Sequence, residues 1–250
     1  MKVIFHDDFY QVYTSDPAAA AGRMEAVMDA IGSRVELIEA KPASEVQIAL
    51  AHEAAQIEYV RNMRLYDISA LAAGGAIQAA TIGLAEPCFG LIRPPGHHAS
   101  AGSCWGFCYV NNMAVALAVL KHEGAIDTGY VLDIDLHFGD GTVNILNSRD
   151  DITVHNVEAM DRVRYLDEVS KAMTACQTDI IGISAGFDNH QDDWGGLLRT
   201  EDYFEIGRMV RESAKRSGGG YFAILEGGYN HQVLGANVLA LINGMSKQYN

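Results

Sequence analysis

Short apolar runs rich in β-branched residues alternate along the chain with longer amphipathic stretches. Short runs of this kind fit strands that are buried on both faces, and the stretches between them fit helices. This alternation predicts an α/β fold with a mostly parallel central sheet and helices on both of its faces. The predicted strands cover residues 2–5, 35–38, 88–92, 130–135, 152–155, 180–184 and 221–225.

The stretches between these strands show helical periodicity of their apolar residues. The predicted helices cover residues 18–31, 54–65, 68–84, 111–122, 166–175, 200–216 and 232–245. No internal repeat, low-complexity tract or linker divides the chain. We therefore expect residues 1–250 to form one catalytic domain.

The formal net charge of -14 limits the classes of partner that this chain can bind. A nucleic-acid-binding protein needs a basic face, so an acidic chain is not expected to bind nucleic acid. The charge slightly favours a cationic ligand. The apolar runs are too short to cross a bilayer, so we expect no membrane role. Four dispersed cysteines and an opening segment without a signal-peptide pattern favour the reducing cytoplasm.

Clusters of polar residues directly follow four of the predicted strands. In an open α/β sheet, ligands bind beyond the carboxyl ends of the strands. A parallel sheet would gather all four clusters at one edge, where they would form a functional site. The clusters are residues 93–98, 133–137, 186–188 and 226–229.

The second cluster places Asp133, Asp135 and His137 at alternate positions. On an extended chain these three side chains would share one face. Two buried carboxylates so close together need a metal ion, an arginine or a proton to neutralise them. The alternative is a strand end whose acids are solvated or cap the next helix.

Asp188 follows another buried run and is the best candidate for a further metal ligand, beside Asp135 and His137. Two carboxylates and one imidazole leave coordination positions open, as in catalytic rather than structural zinc sites. Oxygen-rich ligation is not very selective, so ferrous or cobalt ion could also bind.

The adjacent His97 and His98 could exchange protons with a metal-activated water and with a leaving amine. Asp133 and Asp140 are natural partners to orient the two imidazoles. A histidine pair after Pro-Pro-Gly is otherwise an ordinary turn, but its place at a strand end favours the functional interpretation.

Tyr229 follows Gly227 and Gly228, which lack side chains and so allow backbone or substrate to approach closely. A phenol at this position could donate a hydrogen bond to a developing oxyanion. Phe107, preceded by Gly106, could line an apolar slot for a methylene chain, although it could equally be a core residue.

Taken together, these motifs resemble those of the histone deacetylase superfamily, and within it those of the bacterial acetylpolyamine amidohydrolases and their histone-deacetylase-like relatives. The resemblance implies an arginase-like α/β fold and a zinc amidohydrolase reaction. It covers most of the chain, through residues 93–99, 106–112, 133–142, 186–188 and 225–230 in the family's order.

By position in these motifs, Asp135, His137 and Asp188 are similar to the family's zinc ligands. The family also often holds a structural potassium ion. Its counterparts here would be Asp133, the main chain at Asp135 and His137, and, with a looser match, Thr153 and Val154.

The resemblance also implies roles for the remaining site residues. His98 would be the principal general base and acid, paired with Asp140, and His97 would act chiefly through its charge, paired with Asp133. Tyr229 would polarise the acyl carbonyl together with the metal.

Three departures from the family pattern bear on the entrance to the site. Phe138 stands where many relatives have another histidine. The stretch 156–166 is shorter than the loop that usually carries the second aromatic wall, and the segment 66–85 lacks the usual acidic substrate-clamping loop. We therefore expect an open, shallow active site, which a partner chain could complete if the protein is an oligomer.

The expected substrate is a small or flexible acylated amine, such as an acetylpolyamine or acetyl-lysine. One alternative is a metal hydrolase of the same fold that acts on a guanidino group, for which Asp192 and Asp193 are the nearby candidates for additional metal ligands. Another is a protein that binds an acylated ligand without turning it over.

Overall fold

Seven parallel strands form one continuous sheet in a computed structural model that describes residues 1–147 and 150–246. In chain order the strands are β1 (Lys2–Phe5), β2 (Glu36–Glu39), β3 (Cys88–Gly90), β4 (Gly129–Asp133), β5 (Ile152–Asn156), β6 (Ile180–Ala185) and β7 (Gly220–Leu225). Their spatial order is β2-β1-β3-β7-β6-β4-β5, and all six neighbouring pairs are parallel. The predicted fold class and the seven predicted strands are confirmed, with ends that shift by up to two residues.

Helices flank the sheet and cover its buried strands. They are α1 (Arg23–Ile31), α2 (Glu45–Ile48), α3 (Ala54–Asn62), α4 (Tyr66–Gly83), α5 (Asn112–His122), α6 (Asp140–Leu146), α7 (Arg162–Ala175), α8 (Thr200–Ser217) and α9 (His231–Ser246). One buried apolar cluster extends across the sheet, with side chains from the strands that lie between β1 and the edge strand β5. None of the helices among the described residues combines the length and the apolar character needed to span a bilayer.

Helix boundaries depart from the sequence prediction where local backbone geometry intervenes. The helix predicted over 18–31 begins only at Arg23, because Pro17–Ala19 forms a separate 3-10 turn and Gly22 has φ of +85°. The short helices α2 and α6 were missed, since each is too brief to show periodicity in the sequence.

The four polar clusters follow β3, β7, β6 and β4, which are consecutive in the sheet. Because the strands are parallel, the ends of these four strands lie side by side at the carboxyl edge. The prediction that this edge gathers the clusters is confirmed.

The chain after β4 does not follow the predicted extended path, on which Asp133, Asp135 and His137 would share one face. The strand stops at Asp133, and the chain bends through Asp135 and His137 instead of continuing as an extended strand. Asp133 pairs with His97, while Asp135 and His137 lie together with Asp188. Simple strand alternation does not bring these three side chains together.

The bend after β4 is held by a buried tyrosine from α7. The Tyr165 hydroxyl donates to the carbonyl oxygen of Ile134 at 3.0 Å, directly before Asp135, and Tyr165 is fully buried. The Ile134 amide donates to the carbonyl of Ser184 on the neighbouring strand β6. Both main-chain polar groups of Ile134 are thus satisfied in the core.

Tyr165→Phe removes this hydroxyl and leaves a buried carbonyl without its donor. We expect the free energy of unfolding to fall by about 1–3 kcal/mol, the usual cost of an unsatisfied buried group. Urea unfolding followed by circular dichroism measures it. Tyr59→Phe, at a tyrosine that is 54% exposed, is the control and should leave the transition unchanged. Equal stability of the two variants would contradict the prediction.

Candidate active site

A cluster of three potential metal ligands lies just beyond the carboxyl ends of β4 and β6. One ligand atom from each of Asp135, His137 and Asp188 lies within 4.8 Å of the others. The Nδ1 atom of His137 is 3.2 Å from Oδ1 of Asp135 and 3.0 Å from Oδ2 of Asp188. The structure therefore brings together the three residues that the sequence predicts as metal ligands.

The donor atoms in this cluster fit a divalent cation. Oδ2 of Asp188 is buried and has no hydrogen-bond partner among the described residues, since its approach to His137 lacks hydrogen-bond geometry. Both oxygens of Asp135 accept main-chain donors, from His137 at 2.9 Å and Gly227 at 2.8 Å. These bonds orient the carboxylate while leaving lone pairs for an ion. Two carboxylates and one imidazole are a suitable set for zinc, ferrous or cobalt ion.

The charges of this cluster are strongly interdependent. The hydrogen bond to Asp135 and the close Asp188 carboxylate raise the pKa of His137 to about 10. Burial and the neighbouring Asp135 raise the pKa of Asp188 to about 6. Without a metal ion, the imidazolium of His137 therefore supplies the positive charge that the two carboxylates need.

His97 lies beside this cluster and pairs with the aspartate at the end of β4. Its Nδ1 atom is 3.1 Å from Oδ2 of Asp133, and its Nε2 atom is 3.8 Å from Oδ1 of Asp135. Burial disfavours the charged ring, but Asp135 and Asp133 outweigh it and raise the pKa of His97 well above its usual value. A cationic His97 is thus held between two aspartates.

His98 has the opposite electrostatic character. Burial and the adjacent His97 lower the pKa of His98 to about 4, although Asp140 opposes the shift. Its Nδ1 atom lies 2.7 Å from Oδ1 of Asp140, the first residue of α6. The ring is therefore neutral near pH 7, with Nε2 available to accept a proton.

Trp105 supports the pair formed by His98 and Asp140. Its indole packs on the His98 ring with centroids 3.9 Å apart, and its Nε1 donates to Oδ2 of Asp140 at 2.9 Å. The sequence prediction did not assign Trp105 to the site, because its contact with Asp140 joins residues that are 35 positions apart.

Tyr229 lies on the other side of the cavity, on the loop after β7. Its ring meets Phe107 edge to face at 6.1 Å. Burial and the nearby carboxylates of Asp135 and Asp188 raise the pKa of the Tyr229 phenol, so it remains a neutral donor. Phe107 was predicted to be either a residue that lines an apolar slot or a core residue. It lies at the cavity wall, which fits the first interpretation.

A buried arginine holds the loop that carries Tyr229. Arg23 of α1 is fully buried and donates from Nε to the carbonyl of Gly228 at 2.8 Å and from Nη2 to the carbonyl of Glu226 at 2.6 Å. Its guanidinium also lies 5.6 Å from the Tyr229 ring centroid. The sequence prediction missed Arg23, since an arginine near the start of a helix is usually exposed.

Asp193 provides a second anchor for the same loop. Its Oδ2 atom accepts the amides of Tyr229 at 2.8 Å and Asn230 at 2.7 Å, and its Oδ1 atom accepts the amide of Trp194 at 2.8 Å. Trp194 stacks on Tyr229 with ring centroids 4.0 Å apart. Asp193 therefore links two loops and fixes one face of the tyrosine.

Two glycines allow the cavity walls to approach the reactive groups. A Cβ atom on Gly227 would lie 2.5 Å from Oδ2 of Asp135, and one on Gly106 would lie 2.5 Å from the His98 ring. Gly106 also has φ of +59°, a conformation that favours glycine. Gly228, with φ of +116°, lies against Phe187 and Leu234 instead of the cavity.

The strand register corrects the predicted place of Thr153 and Val154 in a potassium site. Thr153 pairs with Tyr130 and Val154 with Val131, whereas Asn156 is opposite Asp133. Thr153 is thus offset by three residues, roughly 10 Å along the strand. The register therefore places Asn156, and neither Thr153 nor Val154, beside Asp133.

A small cavity of about 130 Å³ joins these groups. It is open to solvent: the His137 side chain is 38% exposed, and Trp105 and Trp194 are about half exposed. Phe138 is 49% exposed and lines a neighbouring cavity on the other side of His137. The first cavity is lined by Pro95, His97, His98, Trp105, Gly106, Phe107, His137, Trp194, Gly227 and Tyr229.

Comparison with known proteins gives matches that include this site. The family model of the histone deacetylase domain matches residues 62–165 and 155–245. The histone deacetylase-like amidohydrolase of Pseudomonas aeruginosa is 27% identical, over 92% of this chain and 78% of that protein. Acetylpolyamine amidohydrolase 1 of the same organism is 28% identical, over 64% of this chain and 56% of that protein.

The fold also matches a solved structure. The HDA15 HD domain superposes with a TM-score of 0.84, over 98% of this chain and 88% of that one. The sequence identity is 22%, so this likeness concerns the fold alone.

Binding of Zn²⁺ at pH 7 should release about one proton, because the metal needs the neutral imidazole of His137 and displaces its proton. With a His137 pKa of about 10 in the free protein, the apparent affinity should rise with pH from 6 to 8. The expected slope is about tenfold per pH unit for one proton. Calorimetry in buffers of different ionisation enthalpy measures the release.

Asp188→Ala is the control for this measurement and should abolish stoichiometric binding, since it removes a ligand and its buried oxygen. Binding of zinc without proton release, or with an affinity that does not depend on pH, would contradict the expectation.

Proposed function

Because the chain belongs to the histone deacetylase family, we propose that it is a zinc-dependent amidohydrolase that removes an acetyl or related acyl group from an amine. The relatives are named deacetylases and amidohydrolases, and the family is metal-dependent. The observation that carries the proposal is the convergence of Asp135, His137 and Asp188 beside one neutral and one cationic histidine.

A metal ion would be held by Asp135, His137 and Asp188, and would supply Lewis-acid activation of the acyl carbonyl and of the attacking water. The open cavity above these residues admits a carbonyl group and a water molecule together. The proposed substrates are acetylpolyamines and acetyl-lysine derivatives, whose flexible chains suit a small open cavity.

His98 is the proposed general base and acid. Its neutral ring takes a proton from the attacking water at Nε2, because Nδ1 is directed to Asp140. Asp140 stabilises the imidazolium that forms, and the same Nε2 then delivers the proton to the nitrogen of the leaving amine. Trp105 keeps the ring in this orientation through the contact at 3.9 Å.

His97 and Tyr229 stabilise the negative charge that develops on the acyl oxygen. His97 carries a positive charge held by Asp133 and Asp135. Tyr229 stays protonated, so its hydroxyl can donate to the oxygen. The loop contacts of Arg23 and Asp193 fix the position of this donor before the substrate arrives.

The guanidino alternative required further metal-binding carboxylates at Asp192 and Asp193. The Asp193 carboxylate instead accepts three main-chain amides, and the Asp192 side chain is 59% exposed. Among the described residues, the cluster around His137 includes neither of them. These contacts favour the amide substrate. A binding protein without turnover is the remaining alternative, and an activity measurement decides it.

Metal-stripped protein should hydrolyse an acetyl-lysine derivative and an acetylpolyamine only after Zn²⁺ is added. Asp135→Ala should abolish this turnover, and Tyr229→Phe should lower kcat about 100-fold, as expected for the loss of one oxyanion donor. Steady-state release of acetate measures both. Full binding of zinc without turnover of either substrate would favour the binding protein, and unchanged kcat in Tyr229→Phe would remove the tyrosine from the mechanism.

Asp193→Ala should lower kcat by roughly 10-fold or more while KM changes little, because it loosens the Tyr229 loop without removing a group that contacts substrate. Asp192→Ala, at the exposed neighbouring carboxylate, is the matched control and should keep wild-type kcat. In the Tyr229→Phe background, Asp193→Ala should have almost no further effect on kcat. An additive loss in the double variant would show that Asp193 acts on something other than the tyrosine.

A further inference from the structure

A second group of potential metal ligands lies in the floor of the active site. One donor atom from each of His97, Cys108 and Glu226 lies within 4.8 Å of the others. All three residues are buried, with at most 3% exposed. The group shares no residue with the cluster formed by Asp135, His137 and Asp188, and its donor set differs because it contains a thiol.

The Glu226 carboxylate is a second, independent observation that points to a cation at this group. Its Oε2 atom accepts the amides of Gly96 at 2.6 Å and His97 at 3.3 Å, but its buried Oε1 atom has no partner among the described residues. Arg23 donates to the main-chain carbonyl of Glu226 and not to its carboxylate. A fully buried carboxylate oxygen without a donor is costly unless a cation or a proton reaches it.

The side chains of His97 and Cys108 can also bind an ion. Nδ1 of His97 faces Asp133, so Nε2 is the ring atom that can bind an ion, once it has lost its proton. The thiol of Cys108 makes only a long hydrogen bond, 3.5 Å, to the carbonyl of Gly106. Of the three residues, His97 lines the open cavity, so the group approaches solvent at this side chain.

We propose that His97, Cys108 and Glu226 form a second, weaker site for Zn²⁺, and that occupation of this site inhibits the enzyme by capturing the His97 imidazole. Sulfur, nitrogen and oxygen donors together suit zinc. At the usual bond lengths, donors around a tetrahedral zinc ion are about 3.3–3.8 Å apart. Small side-chain rotations would therefore close the group around the ion.

Two features make this site weaker than the first. Zinc must displace the proton of the Cys108 thiol and the Nε2 proton of a charged His97 ring, and both protons must leave a buried group. Nε2 of His97 also lies only 3.8 Å from Oδ1 of Asp135, so two dications would be close to each other. The second site should therefore fill only after the first. The inhibition itself rests on the proposed role of His97.

Cobalt distinguishes the two sites by spectroscopy, because only the second has a thiolate ligand. Metal-stripped protein is given one equivalent of Zn²⁺ and then titrated with Co²⁺. The wild-type protein should develop a thiolate-to-cobalt charge-transfer band in the near ultraviolet, and Cys108→Ser should not. Cys104→Ser is the matched control: Cys104 is a half-buried thiol in the same loop but outside the cluster, so its loss should leave the band intact.

Glu226→Gln is a second variant and does not depend on replacing the thiol. It should keep a cobalt band but weaken cobalt binding by roughly 10- to 100-fold, since the amide has no charge to offer the ion. Absence of the band in the wild-type protein would overturn the proposal, and so would a band that persists in Cys108→Ser or disappears in Cys104→Ser.

Hydrolysis assays then separate this proposal from the deacetylase assignment. Zn²⁺ beyond one equivalent should inhibit the wild type and Cys104→Ser, and Cys108→Ser should resist that inhibition. A cobalt band in a protein that does not hydrolyse the acetylated substrates would support the second site and contradict the proposed function. Hydrolysis without a cobalt band would support the proposed function and contradict the second site.

Discussion

The active site depends on negative charge that is concentrated at the buried edge of a parallel sheet. Asp133, Asp135, Asp188 and Glu226 are all at least 96% buried there. Such charges are tolerated only where cations, protons or hydrogen-bond donors neutralise them. The site meets this demand with His97, His137 and directed main-chain amides, and the same demand makes it a place for metal ions.

The two histidines that follow β3 illustrate how position sets chemical role. They are adjacent in sequence and their ring centroids are 4.1 Å apart, yet one is held cationic and the other neutral. His97 faces two buried aspartates, whereas His98 faces a single, half-exposed one and lies against the charge of His97. The same residue type therefore provides one ring that is neutral and one that is charged, as the two roles proposed for them require.

Pre-organisation of the Tyr229 loop comes from distant parts of the chain. Arg23 reaches it from α1, and Asp193 reaches it from the loop after β6, so a glycine-rich segment that would otherwise be pliable is fixed on both sides. This arrangement fixes Tyr229, the proposed oxyanion donor, in the wall of the cavity that His98 also lines. The open cavity is consistent with the short connection between β5 and α7, which leaves the His137 side of the entrance uncovered.

The sequence by itself determined the fold class and the candidate metal ligands, because apolar runs followed by polar clusters report both a parallel sheet and its functional edge. Tertiary structure decided the directions of the site side chains and the contacts between distant residues, which local sequence patterns do not encode. The bend after Asp133, and not strand alternation, directs Asp135 and His137 to Asp188. Strand register placed Asn156, and not Thr153 or Val154, opposite Asp133. Long-range packing selected Arg23, Trp105, Asp193 and the Cys108–Glu226 contact. These contacts join residues that are far apart in sequence, and only the folded chain brings them within reach.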